Sequence, residues 1–285
     1  MAFTVSDVAA QAAVKVAAGL GVGCDEPVVL ADGANVIVHL RPSPVVAKVA
    51  ASTVAVRADN AGWLQRELDV AQFLAAAGAP VITPSPEMPA TIYHGDGLVM
   101  SFWHYLRSSG GALAGEATIG SMLRDLHAAL RLYPGTLPVL APLTDIPAFL
   151  ARPQTRLSPE ESAALAEAHT RLTAELGQAS PEVQSLHGDA GPGNLMDTDT
   201  GWVWHDFEDT CSGPVAWDLA ASTASQRLNG RRVLAAYGEP VDPAQLAVCE
   251  QLRRLHLTVW YALYAERLPD VRPRAAELLA LWSTR

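Results

Sequence analysis

The stretch Leu186-His187-Gly188-Asp189-Ala190-Gly191-Pro192-Gly193-Asn194-Leu195-Met196 decides how this chain is read. Gly188, Gly191 and Gly193 together with Pro192 preclude a regular helix, so the backbone must turn tightly here. An aspartate five residues ahead of an asparagine in such a loop can aim two oxygen-bearing side chains at one point. Beyond Asn194 the apolar strand pattern Trp202-Val203-Trp204-His205 ends at Asp206-Phe207-Glu208-Asp209. A carboxylate at the end of a buried strand is costly unless a cation or several donors satisfy it.

Working outward, the segment from Leu186 to Phe207 is a short β-rich insert in an otherwise helical second half. Helical spacing of apolar residues predicts helices over Thr118–Leu132, Pro159–Leu176, Val215–Leu228, Pro243–Arg267 and Ala275–Trp282. The first half reads differently. Pro27–Leu30, Val36–Leu40 and Val45–Ala50 are short strands separated by the turn signals Asp32-Gly33-Ala34-Asn35 and Arg41-Pro42-Ser43-Pro44. Ala90–His94 and Gly97–Trp103 make a further hairpin around Gly95-Asp96-Gly97. Between them Asn60–Gly78 is a helix, with Trp63, Leu64, Leu68, Ala71 and Leu74 at helical spacing. The expected organisation is α+β. A five-stranded antiparallel sheet with its helix occupies residues 1–104, a hinge falls at about 101–108, and a mainly helical lobe follows over 105–285.

The composition excludes several classes of function. The chain has 285 residues and a net charge of −10, with two lysines against eighteen arginines. An acidic surface is a poor partner for nucleic acid or an anionic membrane, both of which need clustered positive charge. No stretch reaches the roughly 18 uninterrupted apolar residues of a membrane span. The alanine-rich Val8–Val22 carries Gln11 and Lys15 and reads as an amphipathic helix, not a signal peptide. Cys24, Cys211 and Cys249 are too far apart for a disulfide framework or a metal knuckle. A cytoplasmic protein is expected, monomeric or homodimeric.

One of the two lysines, Lys48, lies inside the apolar strand Val45–Ala50, where a lone ammonium would be penalised. Glu67 on the following helix is a candidate ion-pair partner. A lysine with a carboxylate partner, a loop carrying Asp and Asn, and an aspartate at a strand end together match what γ-phosphoryl transfer from ATP requires. That reaction needs a cation against the phosphates, oxygen ligands for Mg2+ and a carboxylate to receive the proton of the attacking hydroxyl. Asp189 fits the last role, Asn194 and Asp206 the metal, and Glu208 a second ion or the shape of the loop.

These segments resemble the aminoglycoside phosphotransferase and choline kinase superfamily, whose fold is like a reduced protein kinase. The specific matches are LHGDAGPGNLM (Leu186–Met196) and HDFEDTCSGPVAWDLA (His205–Ala220). VVAKVA, ELDVAQFLAAAGAPV and GSMLRDLHAAL support them. The resemblance implies a two-lobed kinase-like fold with ATP in the cleft and Asp189 as the catalytic aspartate. It makes Asn194 and Asp206 ligands of Mg2+ and Lys48 with Glu67 the phosphate-anchoring pair. It also implies a nucleotide-covering turn at Gly33 and Asn35, and an adenine-binding hinge near Ser101, Phe102 and Trp103. Asp218, in Trp217-Asp218-Leu219-Ala220, would buttress the catalytic loop. The chain departs from the family where Ala190-Gly191-Pro192 follows the aspartate, which alters the wall of the acceptor pocket. The phosphate acceptor is then a small-molecule hydroxyl. An aminoglycoside or amino sugar is the first expectation from the acidic balance, with choline, homoserine, a sugar or another antibiotic as alternatives. A kinase-like protein that binds nucleotide without turnover is the reading from a different class.

Overall fold

Successive side chains of a strand point to opposite faces, and this alternation organises the first of two units into which the chain divides, Met1–Ala112 with Met196–Glu208. The computed structural model describes residues 4–110, 113–153, 156–179 and 182–283. Helix α1 (Val5–Gly19) opens the first unit, capped by a Thr4–Asp7 capping box. Strands β1 (Cys24–Asp32), β2 (Asn35–Pro42), β3 (Val45–Ala50), β4 (Tyr93–Gly95) and β5 (Leu98–His104) form an antiparallel sheet in the order β1-β2-β3-β5-β4. Helix α2 (Asn60–Ala76) begins at Asp59, whose side chain accepts from Gly62 N–H.

Val45, Ala47 and Val49 share a face with Met100 and Phe102, and that face packs against the small buried side chains Ala9, Ala12 and Ala13 of α1. Val46 and Trp103 lie on the other face, against Leu68 and Ala71 of α2. Lys48 follows Val46 by two residues and pairs with Ser101, so the alternation sends it to the α2 face. A small hairpin of Leu195–Thr198 and Gly201–Trp204 belongs to this unit from Met196 onward. Trp204 N–H donates to Pro80 C=O at 2.8 Å and Ile82 N–H to Trp204 C=O at 3.0 Å. Met196–Glu208, grouped with the second lobe on sequence, therefore packs with the first unit.

The second unit, Leu113–Leu195 with Asp209–Arg285, is mainly helical. It contains α3 (Glu116–Leu130), α4 (Asp145–Leu150), α5 (Pro159–Gln178), α6 (Val215–Thr223), α7 (Gly230–Tyr237), α8 (Pro243–Arg267) and α9 (Arg272–Ala280). Helix α8 starts at an Asp242 cap with proline in the first turn, which is why sequence reading finds its bounds. Strands Gln184–Leu186 and Cys211–Gly213 pair antiparallel and bring both flanks of the Asp189 loop together. None of the described helices is long and apolar enough to cross a membrane, and all three cysteines are free.

Candidate active site

In the first unit the strand alternation, α2 and the end of the small hairpin converge on Lys48. Its Nζ donates to Glu67 Oε2 at 2.8 Å and to Asp206 Oδ1 at 2.6 Å, and lies 3.0 Å from Glu208 Oε2. Lys48, Glu67 and Glu208 are buried, whereas the Asp206 side chain is 44% exposed. Carboxylate oxygens of Glu67, Asp206 and Glu208 lie within 4.8 Å of one another, the spacing of a divalent cation's shell, but the Lys48 ammonium stands among them. Asp206 has φ of 64°, in the left-handed region that few non-glycine residues adopt.

Glu208, considered on sequence for a second ion or for the shape of the loop, is tied into this cluster by side-chain donors. Its Oε1 accepts from Arg57 Nη1 at 2.7 Å, and its Oε2 accepts from Asn35 Nδ2 at 2.5 Å and faces Lys48. Both oxygens thus meet side-chain donors, and Asp206 is the exposed member of the trio. Asn35 is buried, and its side chain secures Glu208. Gly33 forms that turn, its N–H donating to Asn35 C=O at 3.1 Å.

Sequence reading missed Arg57. The guanidinium is buried, binds Glu208, and lies 3.6 Å from the centre of the Trp63 ring, which Arg66 covers at 4.6 Å. It brings a second cation to the three carboxylates. Burial pushes the Glu67 carboxyl up to about 8 despite the pull of Lys48, with Asp206 and Glu208 adding to the rise. Burial alone would lower the Lys48 ammonium, but Asp206, Glu67 and Glu208 outweigh it and hold it well above its ordinary value.

A pH dependence follows. A carboxyl raised from 4.5 to about 8 on folding contributes stability that is fully present below pH 4.5 and lost as pH rises through 8. Thermal melts across that window should show Glu67→Gln losing stability less steeply than the parent, by at most ~1.4 kcal/mol per pH unit. Parallel profiles would mean that Glu67 does not hold the proton.

The residues expected at the hinge lie towards the end of strand β5. Ser101, Phe102 and Trp103 are inside β5 and buried. Phe102 belongs to the core on the α1 face, opposite Lys48, and Trp103 Nε1 donates to Ser101 Oγ at 2.9 Å. On the side of β5 away from β3, Ser85 N–H donates to Phe102 C=O and His104 N–H to Thr83 C=O. Phe102 C=O and His104 N–H are thus paired on that side, and β5 runs to His104.

In the second unit the Asp189 loop is held by Asp218 at the start of α6. Asp218 accepts from His187 N–H at 2.9 Å and Gly188 N–H at 2.8 Å, and its Oδ2 lies 3.0 Å from His127 Nε2. Burial alone would raise this carboxyl, but the His127 bond, the neighbouring histidines and the His187 N–H keep it below its ordinary value. His127 is capped at its other nitrogen by the Tyr237 hydroxyl at 3.0 Å, making it a satisfied core histidine.

Asn194 Nδ2 donates to Asp189 C=O at 2.8 Å and to Asp189 Oδ2 at 2.9 Å. Both amide hydrogens are thereby used, and the amide oxygen remains for a ligand. Asp189 Oδ1 accepts from Arg253 Nη2, and Arg253 Nη1 donates to Gly188 C=O at 3.0 Å. On sequence the Arg253-Arg254 pair reads as a solvated helix face. Arg254 is exposed, whereas the Arg253 side chain is only 13% exposed. The missed signal was the stripe Cys249, Arg253, His256, Trp260, which one face of α8 turns inward.

A family model described as "Phosphotransferase enzyme family" matches residues 31–249. Among solved structures, the chain is similar to a choline kinase from Streptococcus pneumoniae, with 16% identity, 94% of this chain and 97% of that chain covered, and a TM-score of 0.62. An aminoglycoside phosphotransferase from Streptomyces rimosus gives 18%, 86%, 98% and 0.60 in the same order. An amicoumacin kinase, solved with AMP-PNP and Ca2+, gives 12%, 91%, 88% and 0.67. These likenesses carry the fold, which is kinase-like. A search of the curated proteins found no match.

Proposed function

The chain belongs to the phosphotransferase enzyme family, and from that premise we propose that it transfers the γ-phosphoryl group of ATP, with Mg2+, to a hydroxyl of a small molecule. The observation that carries this reading is the Asn194 amide. It spends both hydrogens on Asp189, which fixes the carboxylate, and leaves its oxygen for a hard cation.

Each residue then has one task. Asp189 orients the acceptor hydroxyl and takes its proton as the acceptor oxygen bonds to the γ-phosphorus. The bond from that phosphorus to the bridging oxygen breaks, and ADP leaves with the electron pair. Asn194 and Asp206 would each offer an oxygen ligand to Mg2+, which when bound would neutralise charge developing on the phosphates. Lys48, held by Glu67, would supply the cation for the phosphates. Asp218 keeps the Asp189 loop in place through two backbone N–H groups. Gly33 contributes backbone to the turn over the nucleotide.

An assay of ADP release over aminoglycosides, amino sugars, choline, homoserine and neutral sugars tests the reading. Net charge favours the amino sugars within that panel. Turnover that depends on a divalent cation, stops with a chelator and disappears in Asp189→Ala is expected. Nucleotide binding with neither transfer nor slow ATP hydrolysis would instead indicate a binding protein.

A further inference from the structure

The Asp189 carboxylate is not a lone acid. It is 40% exposed and carries the Arg253 guanidinium on Oδ1. That guanidinium is fixed at two further points, by its bond to Gly188 C=O at 3.0 Å and by the Trp217 ring, whose centre is 4.9 Å from its central carbon. Trp217 is itself tied to the same Gly188 carbonyl at 2.8 Å. Arg253 therefore cannot swing away without giving up its contacts to Asp189, Gly188 and Trp217. Asp209 and Asp218 also act on its charge, and Asp218 is already matched by His127 and two backbone N–H groups.

The consequence is electrostatic. A bare carboxylate at the point where a hydroxyl is deprotonated would draw an ammonium on a neighbouring carbon into the site. A guanidinium bonded to that carboxylate cancels the attraction and itself repels a second cation. At about 6 Å and an effective dielectric near 20, one unit charge changes relative affinity by roughly 10- to 100-fold.

Resting on the phosphotransferase reading above, we propose that Arg253 determines the acceptor class. It clamps the acceptor base and screens its charge, so that the substrate is an alcohol whose reacting hydroxyl is flanked by uncharged or carboxylate-bearing carbons rather than by an ammonium. Arg253 is a positioning residue, acting through Asp189. This inference runs against the amino-sugar expectation, which rests on charge summed over the whole chain and not on charge at the acceptor base.

The test compares kcat/KM over two matched sets of probe alcohols. The sets are glucosamine, glucose and glucuronate, and ethanolamine, ethylene glycol and glycolate. The parent should prefer uncharged or carboxylate-bearing members over the ammonium member by about tenfold or more. Arg253→Met, which unmasks Asp189, should shift that ratio towards the ammonium member by at least about tenfold. Arg253→Lys keeps the charge without the fork, so it should keep the preference while lowering kcat; it also serves if the methionine variant does not fold. A parent preference for the ammonium members, or an unchanged ratio in Arg253→Met, overturns the proposal. So does a parent that takes no member of either set. If that parent also hydrolyses ATP no faster than Asp189→Ala does, the phosphotransferase reading falls with it.

Discussion

Replacing Asp189 with alanine should lower phosphoryl transfer by roughly 10²–10⁴-fold, the range for loss of a positioned general base, while leaving Mg·ATP affinity within about twofold. The separation follows from where the contacts lie. Lys48, Glu67 and Asp206 hold one another in the first unit without Asp189. Asn194 keeps its bond to the Asp189 main-chain carbonyl, which the substitution retains. Arg253 keeps Gly188 C=O and Trp217. The Asp189 side chain is also partly exposed, so removing it opens no sealed cavity. Calorimetric titration with Mg·ATP beside a steady-state assay gives the two readouts. Parallel loss of affinity and turnover would sink the role assigned to Asp189, because it would make this side chain a part of the nucleotide site. Asp189→Asn should be nearly as inactive, since the amide keeps the shape and cannot take a proton.

What was legible in the sequence, and what was not, separates by the range of the interactions involved. The Asp189 loop could be read because its glycines and proline constrain the local backbone. Lys48 could be read because a lysine in an apolar strand is conspicuous wherever its partner lies. The bounds of α8 were visible through Asp242 and Pro243, which act within one turn. Helix α4 was not, since it has six residues with a proline among them, and α7 begins at a glycine. The pairing of Thr83–Ser85 with β5 was not legible, because it runs through main-chain groups that no side-chain pattern encodes. Glu208 and Arg57 find each other across 151 positions, and Arg253 meets Asp189 across 64. Such pairs are chosen by tertiary packing, and sequence periodicity reports at most that one face of a helix is unusual.

The second large effect is expected at Gly188, and it tests whether the loop is as rigid as its bonds imply. Gly188 has φ of +87°, which an L side chain rarely adopts, and a Cβ there would lie 1.8 Å from the Asp209 carbonyl oxygen and 2.4 Å from its carbon. The clash is with main chain, not with the far end of a mobile side chain. The loop has little freedom to relieve it. Gly188 N–H is bound to Asp218, and Gly188 C=O accepts from both Trp217 and Arg253. Asp209 lies two residues before Cys211, the start of the strand that pairs with Gln184–Leu186 on the other flank of the same loop. Gly188→Ala should therefore combine left-handed strain with overpacking and cost on the order of 4 kcal/mol. Gly191→Ala and Gly193→Ala, where a Cβ would meet nothing within 4 Å, should stay within about 1 kcal/mol of the parent. Denaturation midpoints of the three variants decide the matter. A Gly188→Ala variant as stable as the other two would mean that the loop can move off Asp218, and Asp189 would then lack the fixed position that its role requires.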